Sequence, residues 1–143
     1  MIIKQLSVFV ENRKGRLQAI TQVLADNNID ISALSLADTS DFGVLRLIVD
    51  KPNEAKAVLG EEGIVVKITD VIAVAMDDAP GGVAAVLKVF LDNEISVEYM
   101  YACVGEVNGK AFMVVKTEDI ESTEAILEKA GFAPANLEEI YRI

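Results

Sequence analysis

Residues 3 to 10 (IKQLSVFV) place Leu6, Val8 and Val10 on one side and Phe9 on the other, which predicts a strand. Asn12 to Gly15 is turn chemistry, and from Arg16 to Asn27 the period lengthens: Leu17, Ile20, Val23 and Leu24 recur at helical spacing. Asn27-Asn28 ends that helix, because Asn tolerates the left-handed cap. Two β-branched runs follow, 29–37 and 42–49, joined through Asp38-Thr39-Ser40-Asp41, and so short a polar connection predicts an antiparallel hairpin. Residues 53–62 read as a second helix ending at Gly63, and a last strand closes the unit.

The same order then repeats. Residues 11–34 reappear without a gap 66 positions later as residues 77–100, with Gly15/Gly81, Ala19/Ala85, Val23/Val89, Asp26/Asp92, Asn27/Asn93 and Ile29/Ile95 identical. The second helix of this pattern carries Val83, Val86, Leu87, Phe90 and Leu91 and stops at Asn93. Strands at 95–104 and 110–116 turn around Asn108-Gly109, Gly43 matches Gly109 at the same offset, and a helix over 119–130 ends at Gly131. Each copy therefore reads β-α-β-β-α-β, an α+β, ferredoxin-like fold: a four-stranded antiparallel sheet with both helices on one face. The domains are expected at 1–68 and 69–143, each near the size where one core is marginally sufficient. The run 64–76 must supply the last strand of one copy and the first of the next, by splitting near Thr69-Asp70 or by sharing or exchange.

Composition narrows the partners. Hydrophobic residues make up 52% of the chain and mean hydropathy is +0.35, so some apolar surface is expected to lie against a partner. Ile29, Ile31 and Ala33 alternate with Leu34 and Leu36, more apolar surface than helices on one face can cover. The formal charge of −10 falls as −1 on residues 1–68 and −9 on 69–143, which argues against nucleic acid as a partner. No stretch approaches the roughly 18 apolar residues of a membrane span. The opening MIIKQLSVFV lacks a basic region and a cleavage site, and the single Cys103 fits a reducing compartment, so the expectation is cytoplasmic.

Catalysis finds little to work with. The chain has no His, no nucleophile beside a base and no Cys/His metal set, so no enzyme, metal or cofactor is expected. A copper carrier of this shape needs paired cysteines. An RNA binder needs aromatics on its central strands, where GKAFMVVK offers only Phe112, which reads as core. Cys103 in an apolar strand, and Tyr99, Met100 and Tyr101 beside it, also read as core, though a tyrosine hydroxyl could meet a ligand. The pairs Glu61-Glu62, Glu118-Asp119-Glu121 and Glu138-Glu139 read as solvated faces.

What remains is the turn opening each copy, NRKG and DAPGG. Both lead from a strand into a helix start, where unpaired N–H groups and the positive end of the dipole can hold an anion such as an α-carboxylate. Gly15 and Gly81 permit unusual φ and close approach, and Pro80 suits helix entry; the plainer reading is that these residues are punctuation.

These residues resemble a family. The stretch Glu11-Asn12-Arg13-Lys14-Gly15-Arg16-Leu17 is similar to the N-x-P-G-x-L turn of ACT domains, the small-molecule-binding regulatory modules of amino-acid metabolism, with Lys14 in the proline position. Asp77-Asp78-Ala79-Pro80-Gly81-Gly82-Val83 is closer to the D-x-P-G form. Asn28-Ile29-Asp30-Ile31 and Glu94-Ile95-Ser96-Val97 resemble the family's G-[IV]-N-[IV] at the start of the second strand. The resemblance covers the chain as two domains. It implies a free amino acid bound between ACT domains, its carboxylate on turn amides near Gly15 or Gly81 and its ammonium on Asn12, Asp30, Asp78 or Ser96. Arg13, Lys14, Leu17, Ile31, Ala79, Pro80, Gly82 and Val97 would complete the two sites, which need not be equivalent: the basic residues of copy one favour an extra anionic group. The resemblance also implies edge-to-edge sheet pairing, as a pseudo-dimer or homodimer, and a separate metabolic enzyme as the regulated partner. Competing with it are a ligand-free dimerisation or assembly module and a small enzyme dependent on Asp30 or Asp78.

Overall fold

The computed structural model describes residues 1–38, 41–133, 135 and 137–141, with only the backbone at 38, 137 and 141. In chain order the elements are β1 (Ile2–Glu11), α1 (Arg16–Asp26), β2 (Ile31–Asp38), β3 (Phe42–Val49), α2 (Pro52–Glu61), β4 (Val66–Asp77), α3 (Gly82–Asp92), β5 (Val97–Val107), β6 (Lys110–Thr117), α4 (Ile120–Lys129) and α5 (Leu137–Tyr141). The expected hairpin residues Thr39 and Ser40 lie outside the described residues. The chain divides into two units, Lys4–Thr69 and a second made of Met1–Ile3 with Asp70–Ile143.

In the unit Lys4–Thr69, β3 pairs antiparallel with β1 on one side (Leu6 opposite Leu47) and β2 on the other (Leu36 opposite Leu45). Leu6, Val8, Val10, Leu45, Leu47 and Val49 share the face that meets Ile20 and Leu24 of α1 and Ala55 and Leu59 of α2, and together they form the core. Alternation along β1 behaves as expected for apolar residues, with Phe9 turned to solvent. The polar positions behave differently: Gln5 is fully buried, its Nε2 donating to Ser7 Oγ at 3.1 Å, with Ser7 Oγ 3.4 Å from Thr69 Oγ1. A buried amide is affordable only when it is bonded in this way. Phe9 N also donates to Val65 O at 3.1 Å, which sets the chain entering β4 beside β1.

The second unit repeats the plan, with β6 between β4 and β5 (Ile72 opposite Val115, Met100 opposite Val115). Val86 and Phe90 of α3 and Leu127 of α4 pack on Ile72, Val74, Met76, Met113 and Val115. Three further apolar residues of α3, Val83, Leu87 and Leu91, form an outward stripe, because their i, i+4, i+8 row is set off from the Val86–Phe90 row by the helical period. Asn108 (φ 54) and Gly109 (φ 74) make the tight turn, whereas Gly43, at the matching offset, sits inside β3. Equal spacing thus conceals two different roles.

Of the alternatives for segment 64–76 the structure takes the single shared strand: β4 runs Val66–Asp77, and the division between units falls inside it at Thr69/Asp70. Two other expectations are corrected. Among the described residues no strand follows α4, where one was expected to close the second unit; α5 lies there, and Met1–Ile3 lies beside β4, with Ala73 N donating to Met1 O at 2.8 Å and Ile2 N to Glu124 Oε2 at 3.1 Å. Tyr99 and Tyr101 are half-buried rather than core, although Met100 does pack on it.

The helix ends follow their expected chemistry at Asn28, which is left-handed, and depart from it at Asn93. Asn27 and Asn93 keep negative φ and cap with their side chains, each Nδ2 donating at 2.8 Å to the carbonyl four residues back. The left-handed positions are the next residues, Asn28 (φ 55) and Glu94 (φ 54). Left-handed backbone costs a residue bearing Cβ roughly 1–2 kcal/mol, and less for Asn. Glu94→Gly is therefore expected to raise stability by about 0.5–1 kcal/mol in urea denaturation, with Asn28→Gly giving less; a loss from Glu94→Gly would refute the assignment of strain. At Gly82 the constraint is contact: a Cβ there would stand 2.1 Å from the Asp77 carbonyl oxygen. Gly82→Ala should cost about 1–3 kcal/mol, measured the same way.

Candidate functional site

Each helix-opening turn is built around a left-handed glycine. Gly15 has φ 83 and Gly81 φ 91, each is the N-cap of its helix, and neither helix has a side-chain cap. The first turn is closed by Asn12 N to Asp41 O (3.1 Å), Arg13 N to Glu11 O (2.8 Å), Arg16 N to Arg13 O (3.2 Å) and Ala19 N to Gly15 O (3.0 Å). The second reproduces three of these as Asp78 N to Gly109 O (3.2 Å), Gly82 N to Ala79 O (3.0 Å) and Ala85 N to Gly81 O (3.0 Å). Among the described residues the N–H groups of Lys14, Gly15, Leu17 and Gln18 meet no protein acceptor, and neither do those of Gly81, Val83 and Ala84. Space is open where a Cβ would stand on Gly15 or Gly81. Unpaired donors at the positive end of a helix, with room in front of them, can hold a carboxylate.

The two turns differ in their surroundings. Beside the first lies a crevice of about 400 Å³, counted to its open mouth, lined by Val10, Glu11, Asn12, Arg13, Leu17, Leu36 and Gly43. A second depression of about 470 Å³ is lined by Arg13, Lys14, Gly15, Arg16 and Ala19. Asn12, Arg13 and Leu17 thus line the crevice, and Arg13, Lys14 and Gly15 the depression, with Arg13 common to both. Arg13 Nε is paired with Glu11 Oε2 at 2.9 Å, both side chains exposed, so the pair adds little stability but orients both groups at the rim. Arg16 is half-buried, and its enclosed Nε finds no acceptor among the described residues. In the second turn Asp77 binds Lys110 Nζ at 2.5 Å, and Asp78, Ala79, Pro80 and Gly81 are exposed.

The strand-start residues lie elsewhere. Asp30 is exposed; its N donates to Asp50 Oδ1 at 3.0 Å, and its carbonyl accepts from Asp50 N at 3.2 Å. Ile31 is half-buried opposite Val49, and Val97 opposite Thr117. Ser96 lines a third, more polar crevice of about 510 Å³ with Glu94, Ile95, Thr117, Glu118, Asp119, Ser122 and Thr123. Its floor is rigid: Thr117 and Thr123 are buried with hydroxyl oxygens 2.8 Å apart, and Asp119 caps α4 by accepting from Ser122 N at 3.0 Å. Asp119, expected on a solvated face, thus has a structural task.

Val10, Glu11, Leu36 and Gly43 did not figure among the residues expected at a site. The signal for Leu36 and Gly43 lay in hairpin register, since Gly43 faces both Val10 and Asp38 across the strands. Cys103 is half-buried and burial pushes its thiol up to about 11, which keeps it protonated near neutrality and poor as a nucleophile. Among the described residues no cluster of three or more His, Cys, Asp or Glu could hold a metal ion, and no helix is long and apolar enough to cross a membrane.

Comparison with known proteins places this geometry. A family model described as an ACT domain pair matches residues 1–139. The crystal structure of protein BT0572 from Bacteroides thetaiotaomicron is 35% identical, covers 100% of this chain and 98% of its own, and superposes with a TM-score of 0.90. The ligand-free regulatory subunit of aspartate kinase from Thermus thermophilus shares the fold at 13% identity and a TM-score of 0.63, over 92% of this chain and 97% of its own. The corresponding subunit from Thermus flavus does so at 14% and 0.58, over 91% and 95%. No curated protein matches. With a match over nearly its whole length, in two units that each open on a left-handed glycine turn, the chain belongs to the family of ACT domain pairs.

Proposed function

We propose that the chain is a regulatory protein that binds a free amino acid at the Gly15 turn and passes the signal to a separate metabolic enzyme. The observation that carries this reading is the set of unpaired amides at Lys14, Gly15, Leu17 and Gln18, set next to a crevice whose rim holds a carboxylate and an amide side chain, Glu11 and Asn12. A zwitterion requires that combination: main-chain donors for its carboxylate and acceptors for its ammonium. The Gly81 turn offers similar amides, and Asp30, Asp78 and Ser96 remain candidate ammonium partners, but among the described residues only the Gly15 turn is followed by a residue, Leu17, that lines a crevice with an apolar wall.

In this reading each unit is a four-stranded ferredoxin-like sheet. The fourth strand is the start of β4 for Lys4–Thr69 and Met1–Ile3 for the other unit, so the modules expected at 1–68 and 69–143 trade their end strands. The protein is cytoplasmic and homodimeric, and neither cofactor nor catalysis enters. A ligand-free assembly module is favoured by one observation, the exposed row Val83, Leu87 and Leu91 on α3.

The two readings separate in a thermal-shift panel of the twenty amino acids at millimolar concentration. Ligand at a hundred times its Kd stabilises by about 2.7 kcal/mol, a shift of several degrees at this chain length. Gly15→Val and Gly81→Val impose comparable backbone strain, so both should lower Tm in the absence of ligand, while only Gly15→Val abolishes the response. Asn12→Ala should weaken binding about tenfold, the loss expected for one hydrogen bond to a charged group, and Asp78→Ala should not. A panel with no response from any amino acid would leave the assembly module standing.

A further inference from the structure

We infer that the crevice beside the Gly15 turn selects amino acids with apolar side chains, Leu17 and Leu36 forming its wall and Gly43 keeping it open. This rests on the reading proposed above and narrows it to a ligand class.

The crevice has a mixed lining: the polar Glu11, Asn12 and Arg13, and the apolar Val10, Leu17 and Leu36 with Gly43. Leu17 is 39% exposed and Leu36 49%, so apolar surface from α1 and from β2 is left in water where it borders the same hollow. Covering such surface with hydrocarbon is favourable by about 0.8 kcal/mol per methylene, or about fourfold in affinity.

Gly43 explains why the hollow exists. Its φ is not left-handed, so conformation does not call for glycine. A Cβ there would come to 3.2 Å from Leu36 Cδ1 and 3.2 Å from Ala37 O, and the Leu36 side chain would have to shift by a few tenths of an ångström to admit it. Without one, Leu36 lies back over the strand and leaves the depression.

The charged groups at the rim disfavour other classes. The Arg13 guanidinium and Glu11 carboxylate are engaged with each other at 2.9 Å, so an acidic or a basic ligand side chain gains less from either than it would from an unpaired charge. Lys14 and Arg16, which might have attracted an acidic side chain, line the other depression and not this one.

The test is calorimetric titration of the full chain with leucine, valine, methionine and phenylalanine, with aspartate, lysine and serine, and with 4-methylpentanoate, which is leucine without its ammonium. The expected result is binding by members of the first group only, weakened at least tenfold by Leu36→Asp and also weakened by Gly43→Ala, whose Cβ intrudes on the hollow. Leu36 is half-exposed, so the Asp variant should keep its melting transition; if it does not, Gly43→Ala alone decides. Binding confined to aspartate, lysine or serine overturns the apolar class and leaves the amino-acid reading intact. Equal binding of leucine and 4-methylpentanoate keeps the apolar class and overturns the amino-acid reading. Failure of every compound overturns both, and leucine affinity unchanged in both variants overturns the assignment of the wall.

Discussion

The left-handed glycine between strand and helix is the constraint on which the rest of each unit depends. At Gly15 and Gly81 the chain leaves a strand, reverses within a few residues and starts a helix whose inner row must land on that strand's own face. Ile20 and Leu24 in one unit, Val86 and Phe90 in the other, reach the core only because of that reversal. A residue with Cβ would carry a strain of roughly 1–2 kcal/mol at this φ. The same geometry prevents a conventional side-chain cap, so the N–H groups at the helix start stay unpaired. The device that closes the fold therefore also creates its polar opening.

Repetition and divergence sit on that shared device. Three of the four hydrogen bonds that close the first turn recur in the second. The residue after the glycine then separates the copies: Arg16 in one, and in the other Gly82, where only 2.1 Å would lie between a Cβ and the Asp77 carbonyl. The second helix start thus approaches its strand more closely than a side chain allows. The outward row of the helix diverges too, from Leu17, Thr21 and Ala25 to Val83, Leu87 and Leu91, while the inward row stays apolar in both. The two copies thus agree at the inner faces and the turn and differ on the outer faces.

Most of the fold was legible in sequence because it depends on local rules. Period 2 against period 3.6 located the strands and helices to within a few residues, Asn108-Gly109 announced its turn, and Gly63 and Gly131 mark helix ends with positive φ. The misreadings came where the answer depends on a distant partner or on tolerated strain. No local signal after α4 says that the segment beside β4 comes from Met1–Ile3, at the far end of the sequence, or that no strand follows α4 among the described residues. Glu94 could not be picked as left-handed, since residue preference points to its neighbour Asn93, which spends its side chain on Val89 O instead. At the candidate site the turn residues were visible as a motif. Leu36 and Gly43 were not, because strand register and α1 packing bring them to Leu17, and no local pattern encodes that meeting.

That meeting also bears on how a binding event could be felt. The crevice is bounded by three elements, the end of β1, the start of α1 and the β2–β3 pair, and the hydrogen bond from Asn12 N to Asp41 O already ties the turn to the hairpin. Ligand in the crevice would touch amides on the helix and Leu36 on the strand, adding a second tie between the same elements. A ligand favours whichever arrangement it contacts more fully, by its difference in affinity and no more. Contacts to one element alone would discriminate little between arrangements of turn and hairpin. Contacts divided between α1 and β2 would be lost whenever those elements separate, so a small zwitterion bound as proposed would favour the arrangement that keeps them together, with the affinity of its polar end and its apolar end combined.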